Sequence, residues 1–117
     1  TKELDFPFSD ATIVNNVIYV AGQVGNLPGN TKVVPGGIKE ETKQTMKNIE
    51  RILVALGSSM DKVFKCTCML LDISEWAEMS EEYKKFFAMD KRPARSAFAG
   101  SGLALGAKIE IECWAIR

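Results

Sequence analysis

The 117-residue chain contains no histidine. That absence excludes Ser-His-Asp and Cys-His hydrolase arrangements, histidine-ligated metal sites and paired-histidine RNA cleavage. Acid–base work is left to Asp, Glu, Lys, Tyr, Cys or bound water. The three cysteines are odd in number and too few for a disulfide scaffold, which favours a reducing compartment. There is no excess of either charge, 15 basic residues standing against 15 acidic ones. A dedicated nucleic-acid binder carries surplus Lys and Arg for phosphate, so the balance argues against such a partner. No apolar run approaches the ~20 residues of a membrane span. The opening TKELDFPFSD has neither the basic nor the apolar region of a secretory signal. The expected location is the cytoplasm, or the mitochondrion if an upstream segment has been removed. Repeats, low-complexity tracts and linkers are also missing.

What is present is an ordinary globular composition, 46% hydrophobic and 26% charged, at the size of a single domain spanning residues 1–117. Ala11–Val14 and Val17–Ala21 are β-prone runs joined by Asn15-Asn16, a pair that tolerates the positive φ of a tight hairpin turn. Gly25 to Gly37 reads as a loop around a short strand near Lys32–Val34. From Ile38 to Leu56 the apolar spacing becomes helical, with Ile38, Met46, Ile49, Leu53 and Leu56 on one stripe and Ile52 widening it. Glu40 and Glu41 complement the dipole of the first turn, and Gly57 is a natural residue to follow the last one. Val63–Leu71 reads as a strand. A second helix follows, with Ser74 as its N-cap and Trp76, Met79, Tyr83, Phe86 and Phe87 as its apolar side. Strands near Arg95–Ala99 and over Lys108–Ile116 close the chain.

Two amphipathic helices on one face of a sheet make an α+β sandwich. Along the last strand Ile109, Ile111, Cys113 and Ala115 share one face, while Glu110, Glu112, Trp114 and Ile116 share the other. Both faces carry apolar bulk, so the face away from the helices is expected to be covered by another subunit.

Arg95, in Pro93-Ala94-Arg95-Ser96, presents a permanently charged fork that matches a carboxylate, amid apolar neighbours where an unpaired charge is costly. A structural salt bridge at a strand start is the competing interpretation. Glu110, between Ile109 and Ile111, could orient or deprotonate a water, or form a cross-strand ion pair; Glu112 shares the ambiguity. Cys66-Thr67-Cys68 sets two thiols on one face, with Cys113 near. Without histidine they are too few for a metal site and read as buried hydrophobes, so no metal is expected. Gly22-Gln23, followed by Gly25, lets backbone approach a ligand, but no phosphate-cradling motif is present.

In this order the residues resemble the reactive intermediate deaminase family (RidA, YjgF-like). The matching stretches are Val17–Gln23, Gly36-Gly37 with Glu41-Thr42-Lys43-Gln44, Asn48-Ile49, and Val63-Phe64-Lys65. Tyr83 with Phe86-Phe87, Pro93-Ala94-Arg95-Ser96 and Gly106 to Glu112 complete the set. The resemblance implies a chorismate-mutase-like α+β fold, a homotrimer, and clefts between adjacent subunits. It implies hydrolysis of enamine and imine intermediates to 2-keto acids and ammonia, with no cofactor and a small 2-imino or 2-keto acid as ligand. Carried over, Arg95 binds the substrate carboxylate and Glu110 positions the attacking water, while Phe8, Gly22, Gln23, Phe87 and Ala97 line the cleft. The chain departs from the family pattern at several positions. Phe6-Pro7-Phe8 replaces Gly-Pro-Tyr, Ala97 stands where cysteine is common, Ser80 where asparagine is common, and Leu103-Ala104-Leu105-Gly106 replaces Leu-Pro-Lys-Gly. Two rival functions remain at this level: a module that senses a small carboxylate metabolite with little turnover, and an endoribonuclease or translation inhibitor.

Overall fold

The computed structural model describes residues 6–117. Asn15 and Asn16 both adopt positive φ, 48° and 66°, the backbone of a type I′ turn, and join β1 (Ala11–Val14) to β2 (Val17–Gln23) as an antiparallel hairpin. The expected strand near Lys32–Val34 is reduced to a single bridge between Asn26 and Val33. The loop turns back on itself there: Asn26 Nδ2 donates to the Asn30 carbonyl at 2.7 Å, and the Val34 N–H donates to the Gly25 carbonyl at 2.9 Å.

Helix α1 (Ile38–Ala55) buries Ile38, Met46, Ile49, Ile52 and Leu53 against β2 and β5, as its periodicity requires. It ends in a Schellman motif. Gly57 takes φ +84°, the Ser58 N–H donates to Leu53 O at 2.8 Å and the Gly57 N–H to Val54 O at 3.1 Å. After β3 (Val63–Leu70) the structure corrects the expected N-cap. Asp72, not Ser74, supplies the side-chain cap, its carboxylate accepting from the Ser74 N–H at 2.9 Å at the 3₁₀ turn Ile73–Glu75, and the helix that follows starts from Glu75 with no side-chain cap of its own. The chain then forms α2 (Trp76–Tyr83), with Met79 and Tyr83 buried and Trp76 largely exposed. It crosses over to β4 (Ala94–Ala99), which lies parallel to β3, and ends in β5 (Ile109–Ile116).

The sheet order is β1-β2-β5-β3-β4, mixed, with the last strand at its centre. The extents, 37 × 35 × 21 Å, are those of one helical layer on one sheet. Ile18, Val20, Cys66, Cys68, Leu70, Ile109, Ile111, Cys113 and Ala115 face the helices and are buried. The opposite face is open and carries an aromatic cluster, Trp114 flanked by Tyr19 and Phe64 at centroid separations of 5.5 and 6.3 Å. Among the described residues no helix is long and apolar enough to cross a membrane.

Candidate active site

Beside the Asn-rich loop a cavity of about 490 Å³ is lined by Phe6, Phe8, Val24 and Leu105 on its apolar side, and by Gly22, Gln23, Asn48, Arg51 and Glu110 on its polar side. Two local features build it. Strand β2 slips register against β5 between Val20 and Gln23, a bulge that re-aims the backbone at the strand end. Asn48, buried on α1, donates from Nδ2 to Val24 O at 2.9 Å and to Asn26 O at 2.8 Å, pinning the loop to the helix.

Glu110 projects over Gly22, where a Cβ would overlap its carboxylate. Only a residue without a side chain leaves the acid that position. Burial pushes the Glu110 carboxyl above its ordinary value of 4.5, and the neighbouring Glu112 charge raises it further. The cross-strand ion pair weighed from sequence does not form: no Lys or Arg among the described residues pairs with Glu110 or Glu112. A half-buried carboxylate beside a cavity, with no counter-ion among the described residues, has the chemistry that a general base requires.

Arg95 lies elsewhere. It pairs in register with Cys66 of β3, whose side chain is buried on the helix side, so the guanidinium is directed toward α2. There it sits 4.9 Å from the Tyr83 ring centroid and 5.2 Å from that of Trp76, and Nη1 is 4.0 Å from the Met79 sulfur. The salt bridge that competed for this residue is absent too, since no carboxylate among the described residues pairs with it. The two principal candidates are not on adjacent strands. β3 separates β4 from β5, and the two side chains emerge from opposite faces of the sheet.

The other site candidates divide between these two places. Phe8, Gly22 and Gln23 line the cavity of Glu110. Ala97 pairs with Cys68 and shares the face of Arg95, where Phe87 is buried against Tyr83 at a centroid separation of 5.1 Å. Beneath Arg95 the three thiols are buried. The pair Cys66–Cys113 is in direct cross-strand register, and a hydrogen bond from Cys113 holds the Cys66 thiol below its ordinary value. Burial pushes Cys68 up to about 12.

Arg51, Asn48 and Leu105 are among the cavity residues that the sequence reading did not assign to the site. Arg51 is an exposed cation on α1 and resembled a solvated charge. Asn48 had a motif match but no assigned role. Leu105 left no local signal, because its left-handed backbone, φ 58° and ψ 23°, belongs to residues of other types.

The Endoribonuclease L-PSP family matches residues 3–117. The chain belongs to that family. This is the RidA-like group whose motifs its sequence resembles. A rat L-PSP relative named 2-iminobutanoate/2-iminopropanoate deaminase is 41% identical over 110 residues, covering 94% of this chain and 80% of the relative. The crystal structure of the yeast protein YEO7 superposes with a TM-score of 0.91 at 38% identity, covering 97% of this chain and 89% of that one. E. coli TdcF with bound serine gives 0.87 at 26% identity, covering 96% and 89%. Both structures thus share the mixed five-stranded sheet under two helices that is described above.

Proposed function

We propose that this L-PSP chain hydrolyses 2-imino acids, and through them their enamine tautomers, to 2-keto acids and ammonia, in clefts shared between the subunits of a cytoplasmic homotrimer. The observation that carries the proposal is Arg95, a guanidinium held over two aromatic rings with no carboxylate among the described residues to neutralise it. A substrate carboxylate supplies the missing partner in two parallel hydrogen bonds. The name of the rat relative and the serine bound by TdcF both point to ligands of this class.

The reaction needs little beyond placement. The iminium carbon is already electrophilic. Glu110 accepts a proton from water as the oxygen attacks that carbon, and the C=N π pair moves to nitrogen, giving a carbinolamine. Glu110 returns the proton to the nitrogen, then takes the hydroxyl proton as C=O re-forms and the C–N bond breaks, and the departing ammonia carries that proton away as ammonium. Water and imine are consumed and keto acid and ammonia formed, with no cofactor in the balance.

One chain does not bring Arg95 and Glu110 to one small molecule, because they emerge from opposite sheet faces. A neighbouring subunit that lays its β4 edge beside the Glu110 cavity completes the pair. The exposed cluster of Tyr19, Phe64 and Trp114 offers the apolar surface for such packing. The name of the family evokes a ribonuclease, but a histidine-free chain with balanced charge gives that activity no support. The test couples the protein to a threonine dehydratase and follows 2-keto acid formation where spontaneous imine hydrolysis is slow. Acceleration that Arg95→Ala removes supports the proposal. Tight keto-acid binding without acceleration replaces it with a metabolite-sensing role.

A further inference from the structure

The cavity beside Glu110 is larger and more apolar than a three- or four-carbon imino acid requires. In the single chain, before a neighbouring subunit covers its mouth, its volume is about 490 Å³, within the ~300–1,000 Å³ of pockets that enclose drug-sized ligands. Phe6 and Phe8 stack at 5.5 Å with an interplanar angle of 12°, forming a flat apolar wall, and Phe8 is left 50% exposed. Leu105 faces the same space and is 42% exposed, on a backbone held at φ 58°. A leucine in that left-handed region is strained, and such strain concentrates where a side chain is being placed for function. Both positions depart from the family pattern by exchanging a polar side chain for an apolar one.

We infer that this chain selects 2-imino acids with bulky apolar side chains, branched or aromatic, and that Phe8 and Leu105 determine that selection. The inference rests on the deaminase reading. With the substrate carboxylate on Arg95 of a neighbouring subunit and the imine carbon beside Glu110, the side chain enters the space between the Phe6–Phe8 wall and Leu105. Burial there removes apolar surface from water on both partners. A methyl group leaves most of that wall wet.

The experiment uses the wild-type chain with imines generated in situ from alanine, leucine and phenylalanine by an L-amino-acid oxidase with catalase, and reads kcat/KM from competition with semicarbazide trapping. The leucine and phenylalanine imines are expected to exceed the alanine imine by at least ~10-fold, the lower end of what one methylene contributes in an apolar pocket. Phe8→Tyr and Leu105→Lys, singly, lower the leucine-to-alanine ratio. Equal or falling kcat/KM with side-chain size, with the alanine imine still turned over, overturns the selectivity and leaves the deaminase reading standing. Absence of turnover on every imine overturns both. An independent measurement guards against variants that fold poorly. Wild-type calorimetry is expected to show 4-methyl-2-oxopentanoate binding more tightly than pyruvate, and the reverse order contradicts the inference.

Discussion

Arg95 and Glu110, the cation and the carboxylate suited to one substrate, emerge from opposite faces of the sheet with strand β3 between their strands. Each is half-buried, and neither has a charged partner of opposite sign among the described residues. Two uncompensated charges of opposite sign in one small domain are costly to keep apart unless something joins them. In the proposed assembly a substrate held between two subunits does so.

Removing the cation is expected to be severe. Arg95→Ala lowers kcat/KM by roughly 10- to 150-fold, the range for hydrogen bonds to a charged group. Arg95→Lys recovers only part of it, because an ammonium cannot reproduce the two-pronged geometry. Arg51 is the one cation among the described residues that line the Glu110 cavity, so Arg51→Ala is the control. A larger loss at Arg51 than at Arg95 in steady-state kinetics transfers carboxylate binding to α1.

The acid limb of the pH–rate profile is expected to belong to Glu110. Burial and Glu112 raise its carboxyl above 4.5, and the base works only when ionised. Activity therefore falls as pH drops through that raised value. Glu112→Gln removes the like charge and moves the limb toward lower pH. Glu110→Gln abolishes turnover and leaves 2-keto acid binding within a few-fold, as a calorimetric titration would register.

Gly22→Ala tests the geometry without touching a charge. The new methyl displaces the far end of the Glu110 side chain, which can swing, so the fold should survive with little change in Tm. Misplacing the base by about an ångström costs up to ~100-fold in kcat. Wild-type kinetics in this variant would show that Glu110 does not depend on Gly22.

How much of this could be read in the chain beforehand differs from element to element. Asn15-Asn16, the stripe from Ile38 to Leu56, and the alternation along Ile109–Ile116 are local patterns, and each appears in the structure where it was expected, except that Leu56 falls just past the helix end and is only partly buried. The strand near Lys32–Val34 failed because Asn26 and Asn30 close the loop with side-chain and backbone hydrogen bonds of their own. The Ser74 cap failed because Asp72 offers a carboxylate two residues earlier. For the site, residue types identified Arg95 and Glu110, but strand order did not follow from them. A parallel β3–β4 pair and a last strand inserted at the centre are long-range choices with no local signature. The slip at Gly22 and the left-handed backbone at Leu105 were hidden for the same reason.

Glu41 supplies a test of stability. It is 5% exposed on α1 and accepts the Lys108 N–H at 2.8 Å, tying the helix to the start of β5. Glu41→Ala strands that donor and is expected to cost about 1–3 kcal/mol in denaturant unfolding. Burial, the leading cause, raises the Glu41 carboxyl above 4.5, with the Lys108 hydrogen bond opposing it. The folded state thus holds that proton more tightly than the unfolded chain. The associated stability is fully present below 4.5 and is lost as pH rises through the folded value. Glu41→Gln keeps an acceptor without the charge, so its stability relative to wild type should improve from acid to neutral pH.

The shared cleft is tested most directly by mixing two inactive chains. Arg95→Ala and Glu110→Gln proteins are unfolded together in equal amounts, refolded, and assayed for imine hydrolysis. In a closed ring of three, each cleft draws Arg95 from one subunit and Glu110 from the next, so about one cleft in four regains both groups by chance. The account predicts about a quarter of wild-type activity from the mixture, and at most about a tenth from either protein refolded alone, the Arg95→Ala loss being at least about 10-fold. A mixture no more active than its parents, or full activity in a stable wild-type monomer, would contradict it.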